Sequence, residues 1–182
     1  MKALYYITFS FCFCALMVCC ERKQPAASSL LGDDLIEQPL DTTTYGICGE
    51  KTTPSRIQLI TDLNDTLFIK VSDEGASNIV GGIIVGDRLA LTYRHSPHDD
   101  LILDQCINIT SLLGRWKSID RQFEICEGGV VAGDSLAGQK AWTKWTLLNG
   151  RLLLNKDTFT IASLGADSLE LETPTEIFLY TR

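Results

Sequence analysis

The densest grouping of chemistry-bearing side chains in this 182-residue chain is His95-Ser96-Pro97-His98-Asp99-Asp100, which sets both histidines beside two carboxylates. Imidazole nitrogens and carboxylate oxygens are ligands that Zn²⁺ or Cu²⁺ accepts. Four such groups on one short loop do not by themselves enforce tetrahedral geometry. His95, His98, Asp99 and Asp100 are thus the best-grouped metal candidates, but the expectation is a solvated, proline-containing loop and no metal. Asp62-Leu63-Asn64-Asp65 also offers oxygen ligands. It lacks the glycine and distal glutamate of an EF-hand loop, and Asn and Asp suit a tight turn.

Nucleophilic and phosphate chemistry find no footing. The chain has no Gly-x-Ser-x-Gly elbow, no Gly-x-x-x-x-Gly-Lys loop and no Cys-x-x-Cys beyond residue 20. Asp87, after Gly86, reads as a turn residue rather than a base. The expectation is a protein that is not an enzyme and carries no cofactor. A net charge of −7 and a pI near 4.8 give no electrostatic reason to bind nucleic acid.

Four of the seven cysteines fall within the first 20 residues. The remaining three, Cys48, Cys106 and Cys126, allow at most one bridge. Cys48 and Cys106 fall on the first and last strands of the segment 43–108 and form the candidate disulfide, worth about 3–4 kcal/mol if made. Buried free thiols are the alternative, and spacing alone does not choose between them.

The N-terminus reads as an export signal. Met1-Lys2 is followed by an apolar run over residues 3–18, which stops at Cys19-Cys20 and the polar Glu21-Arg22-Lys23. An apolar run closing on cysteine resembles the lipobox of bacterial lipoproteins. The resemblance implies a signal peptide over residues 1–19 and lipidation of Cys20, with Cys19 the alternative. It also implies a protein held by its acyl chains on the cell membrane or outer membrane, facing the periplasm or cell surface. Each buried CH₂ of such chains contributes about 0.8 kcal/mol. Residues 20–42, with Pro25, Gly32 and Pro39 and no sustained periodicity, read as a flexible tether.

The rest alternates at period 2 between turn residues, the pattern of an all-β fold in two small antiparallel modules. Over residues 43–108, about five short strands with glycine-rich bends at Gly81-Gly82 and Gly86 suit a small barrel of the OB or SH3-like kind. Over residues 109–182, six or seven strands describe a meander. Residues 141–147 are expected as one of its strands, and Asn149-Gly150 supplies its strongest hairpin signal.

Leu113-Gly114-x-Trp116, Trp142-x-x-Trp145, Leu147-x-x-Gly150, Thr158-Phe159-x-Ile161 and the terminal Phe178-x-Tyr180-x-Arg182 occur in an order similar to the short lipocalin-like domains of bacterial lipoproteins. The resemblance implies a shortened lipocalin-like meander barrel in which Gly114, Trp116 and Arg182 form a structural core motif. Arg182 would lie across the Trp116 ring, a contact worth on the order of 1 kcal/mol. The functional expectation is a lipid-anchored cell-envelope binding module for a small apolar ligand or peptide. The alternative is a structural or interaction subunit of an envelope protein assembly, without a small-molecule ligand. A hollow barrel behind Trp116 would favour the first; a filled one with an exposed apolar patch would favour the second.

Overall fold

A computed structural model describes residues 40–135 and 141–182. The expected signal peptide, the lipidation sites Cys19 and Cys20 and nearly all of the tether lie outside the described residues. The described chain is all-β, in two sheets.

The first sheet holds β1 (Thr44–Cys48), β2 (Arg56–Thr61), β3 (Thr66–Lys70), β4 (Ile79–Val80), β5 (Arg88–His95) and β6 (Leu101–Asn108). Asp62–Asp65 makes the β2–β3 turn, with Asn64 at φ 65°, a conformation that asparagine tolerates well. Five strands close a ring, β1-β2-β3-β6-β5 and back to β1, antiparallel except where β3 meets β6 in parallel. That single parallel seam is the connectivity of an OB-type barrel rather than an SH3-like one. A one-turn helix, α1 (Asp73–Ala76), lies between β3 and β4, too short for any helical periodicity to announce it. Ile57, Leu59, Ile69, Leu89, Leu91 and Leu103 fill the interior with the Cys48 and Cys106 side chains. At Gly46 a Cβ would lie 2.3 Å from the Ile60 carbonyl oxygen, so only glycine allows β1 to cross β2 this closely.

The chain leaves this barrel through Asn108, which is fully buried. Its Oδ1 accepts from the Ser111 amide at 3.0 Å, capping the one-turn helix α2 (Ile109–Leu112). Its Nδ2 donates to the Gly82 carbonyl at 3.1 Å and to Asp87 Oδ2 at 2.6 Å. Asp87 thus fixes the turn geometry beside this link.

β7 (Gly114–Lys117), β8 (Gln122–Cys126), β9 (Val130–Ser135), β10 (Trp145–Leu148), β11 (Arg151–Leu154), β12 (Asp157–Leu164), β13 (Ser168–Glu172) and β14 (Ile177–Thr181) form the second sheet. Eight strands appear where six or seven were expected. They run as a meander that nearly closes: β14 meets β7 at Thr181–Lys117, and β9 meets the chain entering β10 at Val130–Lys144. The strand expected over residues 141–147 begins only at Trp145, because Trp142 turns into the core instead of continuing a ladder. Asn149 and Gly150 both take positive φ, the geometry of a tight two-residue hairpin. That hairpin tip reaches the first barrel, where Asn149 Oδ1 accepts from the Thr42 amide at 2.8 Å and Asn149 N donates to Thr43 Oγ1 at 2.9 Å.

The second interior is aromatic. Phe123 packs edge-on against Trp142 and Tyr180, and Phe159 against Trp142 and Phe178, with centroids 5.0–5.8 Å apart. Its core extends beyond its own strands, because Ala90 of β5 and Ile107 of β6 pack into it. Leu89, Ala90 and Leu91 are consecutive and all buried, since β5 has one barrel on each face. The described residues accordingly form one compact unit.

Candidate functional site

The geometry of Gly114, Trp116 and Arg182 is that of a closure. Trp116 is wholly buried and donates Nε1 to the Leu112 carbonyl at 2.9 Å. Arg182 places its guanidinium carbon 4.7 Å from the Trp116 ring centroid and donates to the Ser111 and Leu113 carbonyls at 2.6 and 2.9 Å. It therefore satisfies carbonyls that the end of α2 leaves unpaired. Gly114 sits at φ +130°, and a Cβ there would meet the Arg182 side chain at 3.6 Å. Phe123, Leu171 and Tyr180 fill the space beyond Trp116, so the barrel encloses side chains where a ligand cup would have to be.

A second closure had no sequence signal. Arg121, in the β7–β8 turn, donates Nε to Asp134 Oδ1 at 2.8 Å and Nη2 to Oδ2 at 2.5 Å, with 9% of one side chain and none of the other exposed. The Trp142 amide also donates to Asp134, and the Arg121 guanidinium lies 3.0 Å from the Trp142 ring centroid. Trp142 Nε1 reaches Asp157 at 2.8 Å. Burial pushes the Asp134 carboxyl upward, but the Arg121 hydrogen bonds and the Trp142 amide outweigh it and hold the group below its ordinary value. Both oxygens of Asp134 are taken up by Arg121 and the Trp142 amide, and no buried side-chain nitrogen or oxygen among the described residues lacks a partner. It is a structural clasp between residues 13 apart.

In the loop that held the metal candidates, the side chains are dispersed. Asp100 pairs with Lys70 at 2.6 Å, and His95 Nδ1 lies 3.4 Å from Asp99 on the open surface. His98 contributes its backbone amide to Ser96. Among the described residues no three His, Cys, Asp or Glu side chains converge as a metal site. Asp62 is likewise engaged, in a two-point pair with Arg88. Cys48, Cys106 and Cys126 are free thiols in this structure. β5 lies between the strands of Cys48 and Cys106, with Cys48 beside Asp87 and Cys106 opposite Leu91, so the two are not cross-strand neighbours. Cys48 hydrogen-bonds Thr52 instead at 3.3 Å. Burial drives the Cys106 thiol up to about 12, with the Cys48 side chain adding to the effect.

Among the described residues, one concave feature with an apolar base is a groove of about 560 Å³ between the barrels. Ile109 and Leu147 are buried at its base, and Tyr45 and Trp145 line it as half-buried aromatics. Arg88, Thr110 and the Glu127–Gly129 turn complete the rim. The aromatic tips are already satisfied: Tyr45 donates to the Leu147 carbonyl at 2.8 Å and Trp145 Nε1 to the Cys126 carbonyl at 2.7 Å. Burial raises the Tyr45 phenol above its ordinary value, which keeps that donor protonated. The groove thus presents ring surface rather than ring polarity. Tyr45, Ile109, Glu127 and Trp145 are far apart in sequence, so spacing gave no sign of the site. Only the half-buried tryptophan in an alternating strand could have hinted at it.

No protein-family model, curated protein or solved structure matches this chain.

Proposed function

We propose that this protein is a non-catalytic, lipid-anchored binding module of the bacterial cell envelope, and that its site is the groove between the barrels. The carrying observation is that both barrel interiors are packed with side chains while the inter-barrel groove is open and apolar at its base. Its volume falls in the range of small-molecule sites, about 300–1,000 Å³. The ligand is a small apolar molecule or a short peptide carrying an apolar side chain. The second barrel is read as a shortened lipocalin-like domain, supported by the sequential meander and by Arg182 lying over Trp116. In this form the tryptophan–arginine pair closes a solid barrel, and binding has moved outside it. The anchor is read as acylated Cys20, supported by the apolar run that stops there.

Native mass spectrometry of the full chain, purified in mild detergent from its own host, tests this reading. A co-purifying molecule that is lost in a Trp145→Ala variant supports it. An apo mass with stoichiometric protein partners instead supports the structural-subunit alternative, which the outward-facing Ile177 and Leu179 of β14, 62% and 66% exposed, specifically favour.

A further inference from the structure

The charges around the groove are unbalanced, and the geometry points to an organic cation with an apolar body as its ligand class. This deepens the groove reading above and rests on it. Arg88 is the one basic residue lining the groove among the described residues, and its guanidinium is committed: Nη1 and Nη2 donate to Asp62 at 3.0 and 2.7 Å. Glu127 lines the same groove, exposed, within electrostatic reach of Arg88 and without a hydrogen bond or ion pair of its own. Asp41 adds a third carboxylate that acts on Tyr45. Of these carboxylates only Glu127 lines the groove, and the one guanidinium there is already spent on Asp62, in a protein whose net charge is −7. Lys144 lines a neighbouring depression behind Gly128 and Gly129, not this one.

The aromatic lining selects the same way. Trp145 and Tyr45 have spent their polar hydrogens on backbone carbonyls, so each offers only its electron-rich face. Such faces attract ammonium and guanidinium groups, tryptophan most of all. An anion would meet Glu127 with nothing uncommitted to neutralise it. A neutral apolar ligand would gain the base formed by Ile109 and Leu147 but nothing from the rim. An ammonium on an apolar body fits both: the body against the base, the charge between the ring faces and Glu127.

The test uses the full chain in nonionic detergent, labelled with 5-fluorotryptophan, with Trp145→Phe assigning that resonance. The probes are benzyltrimethylammonium, benzyl alcohol and phenylacetate. The expected result is that benzyltrimethylammonium shifts the Trp145 signal, leaves buried Trp116 and Trp142 unmoved, and binds about five- to tenfold tighter than the other two. Glu127→Gln, on an exposed turn, should erase most of that preference while leaving the Trp116 and Trp142 signals of the free protein in place. Equal binding of all three probes at Trp145, or a preference that survives Glu127→Gln, overturns the cation assignment and leaves the groove standing. If none of the probes moves Trp145, the groove itself is lost as a binding site, and the proposed function with it.

Discussion

The two barrels solve closure differently. The first closes through its backbone: every neighbouring pair of strands in its ring shares a ladder, including the parallel β3–β6 seam. Its interior can then be small and aliphatic. The second has two seams held by one backbone pairing each, and it closes instead through side chains. Arg182 ties the α2 carbonyls to Trp116, Arg121 and Asp134 clasp Trp142, and Asn155 fastens the strand entry. Asn155 Oδ1 accepts from the Thr143 and Lys144 amides at 3.0 and 3.1 Å, and its Nδ2 donates to the Ala141 carbonyl at 3.0 Å. A meander too short for full ladders is completed by a few named residues, so its stability is concentrated where that of the first barrel is spread.

That contrast can be broken most sharply at Trp116. Trp116→Ala empties the centre of the second barrel and should cost about 3–5 kcal/mol, read by chemical denaturation. A variant as stable as the parent would remove Trp116 from the core. Asp134→Ala strands the Arg121 charge in a buried clasp and should cost nearly as much, about 3–5 kcal/mol, whereas Arg121→Leu with Asp134→Leu should recover most of the loss. The same clasp sets a pH dependence. Because the folded carboxyl of Asp134 is depressed, its stabilisation is fully present above the unfolded value near 3.9. It fades as pH falls through the folded value. Asp134→Asn should therefore flatten the stability–pH curve below about pH 4, and an unchanged acid slope would refute the assignment.

Smaller effects sharpen the comparison. Asn155→Ala removes several hydrogen bonds at a residue with φ 57° and should cost about 1–2 kcal/mol. Hydrogen exchange should speed up over residues 141–147 and stay unchanged in β1 to β3; uniform acceleration would mean the seam is not local. The smallest effect is chemical. With Cys106 buried and its thiol raised to about 12, alkylation at pH 8 should modify half-buried Cys126 before Cys48 or Cys106, as site-resolved mass spectrometry would show.

Alternation and turn chemistry made the fold class and the hairpin at Asn149-Gly150 legible from residues alone. The lipocalin resemblance singled out Trp116 and Arg182, and the structure brings them together. The strand expected over residues 141–147 starts late because Trp142, which a period-2 reading places in it, leaves the ladder to fill the core. The one-turn helices were silent because four residues cannot show a 3.6-residue period. The groove and the Arg121–Asp134 clasp were invisible for a different reason: each is made by residues that only the closed sheets bring together.

β5 carries a last consequence. With Leu89 and Leu91 in one core and Ala90 in the other, a single strand is wall to both rooms, and neither can be rented separately. Residues 109–182 expressed alone would expose the surface that Ala90 and Ile107 now cover. The natural unit of folding, exchange and engineering is the pair, and heat should melt it in one cooperative step.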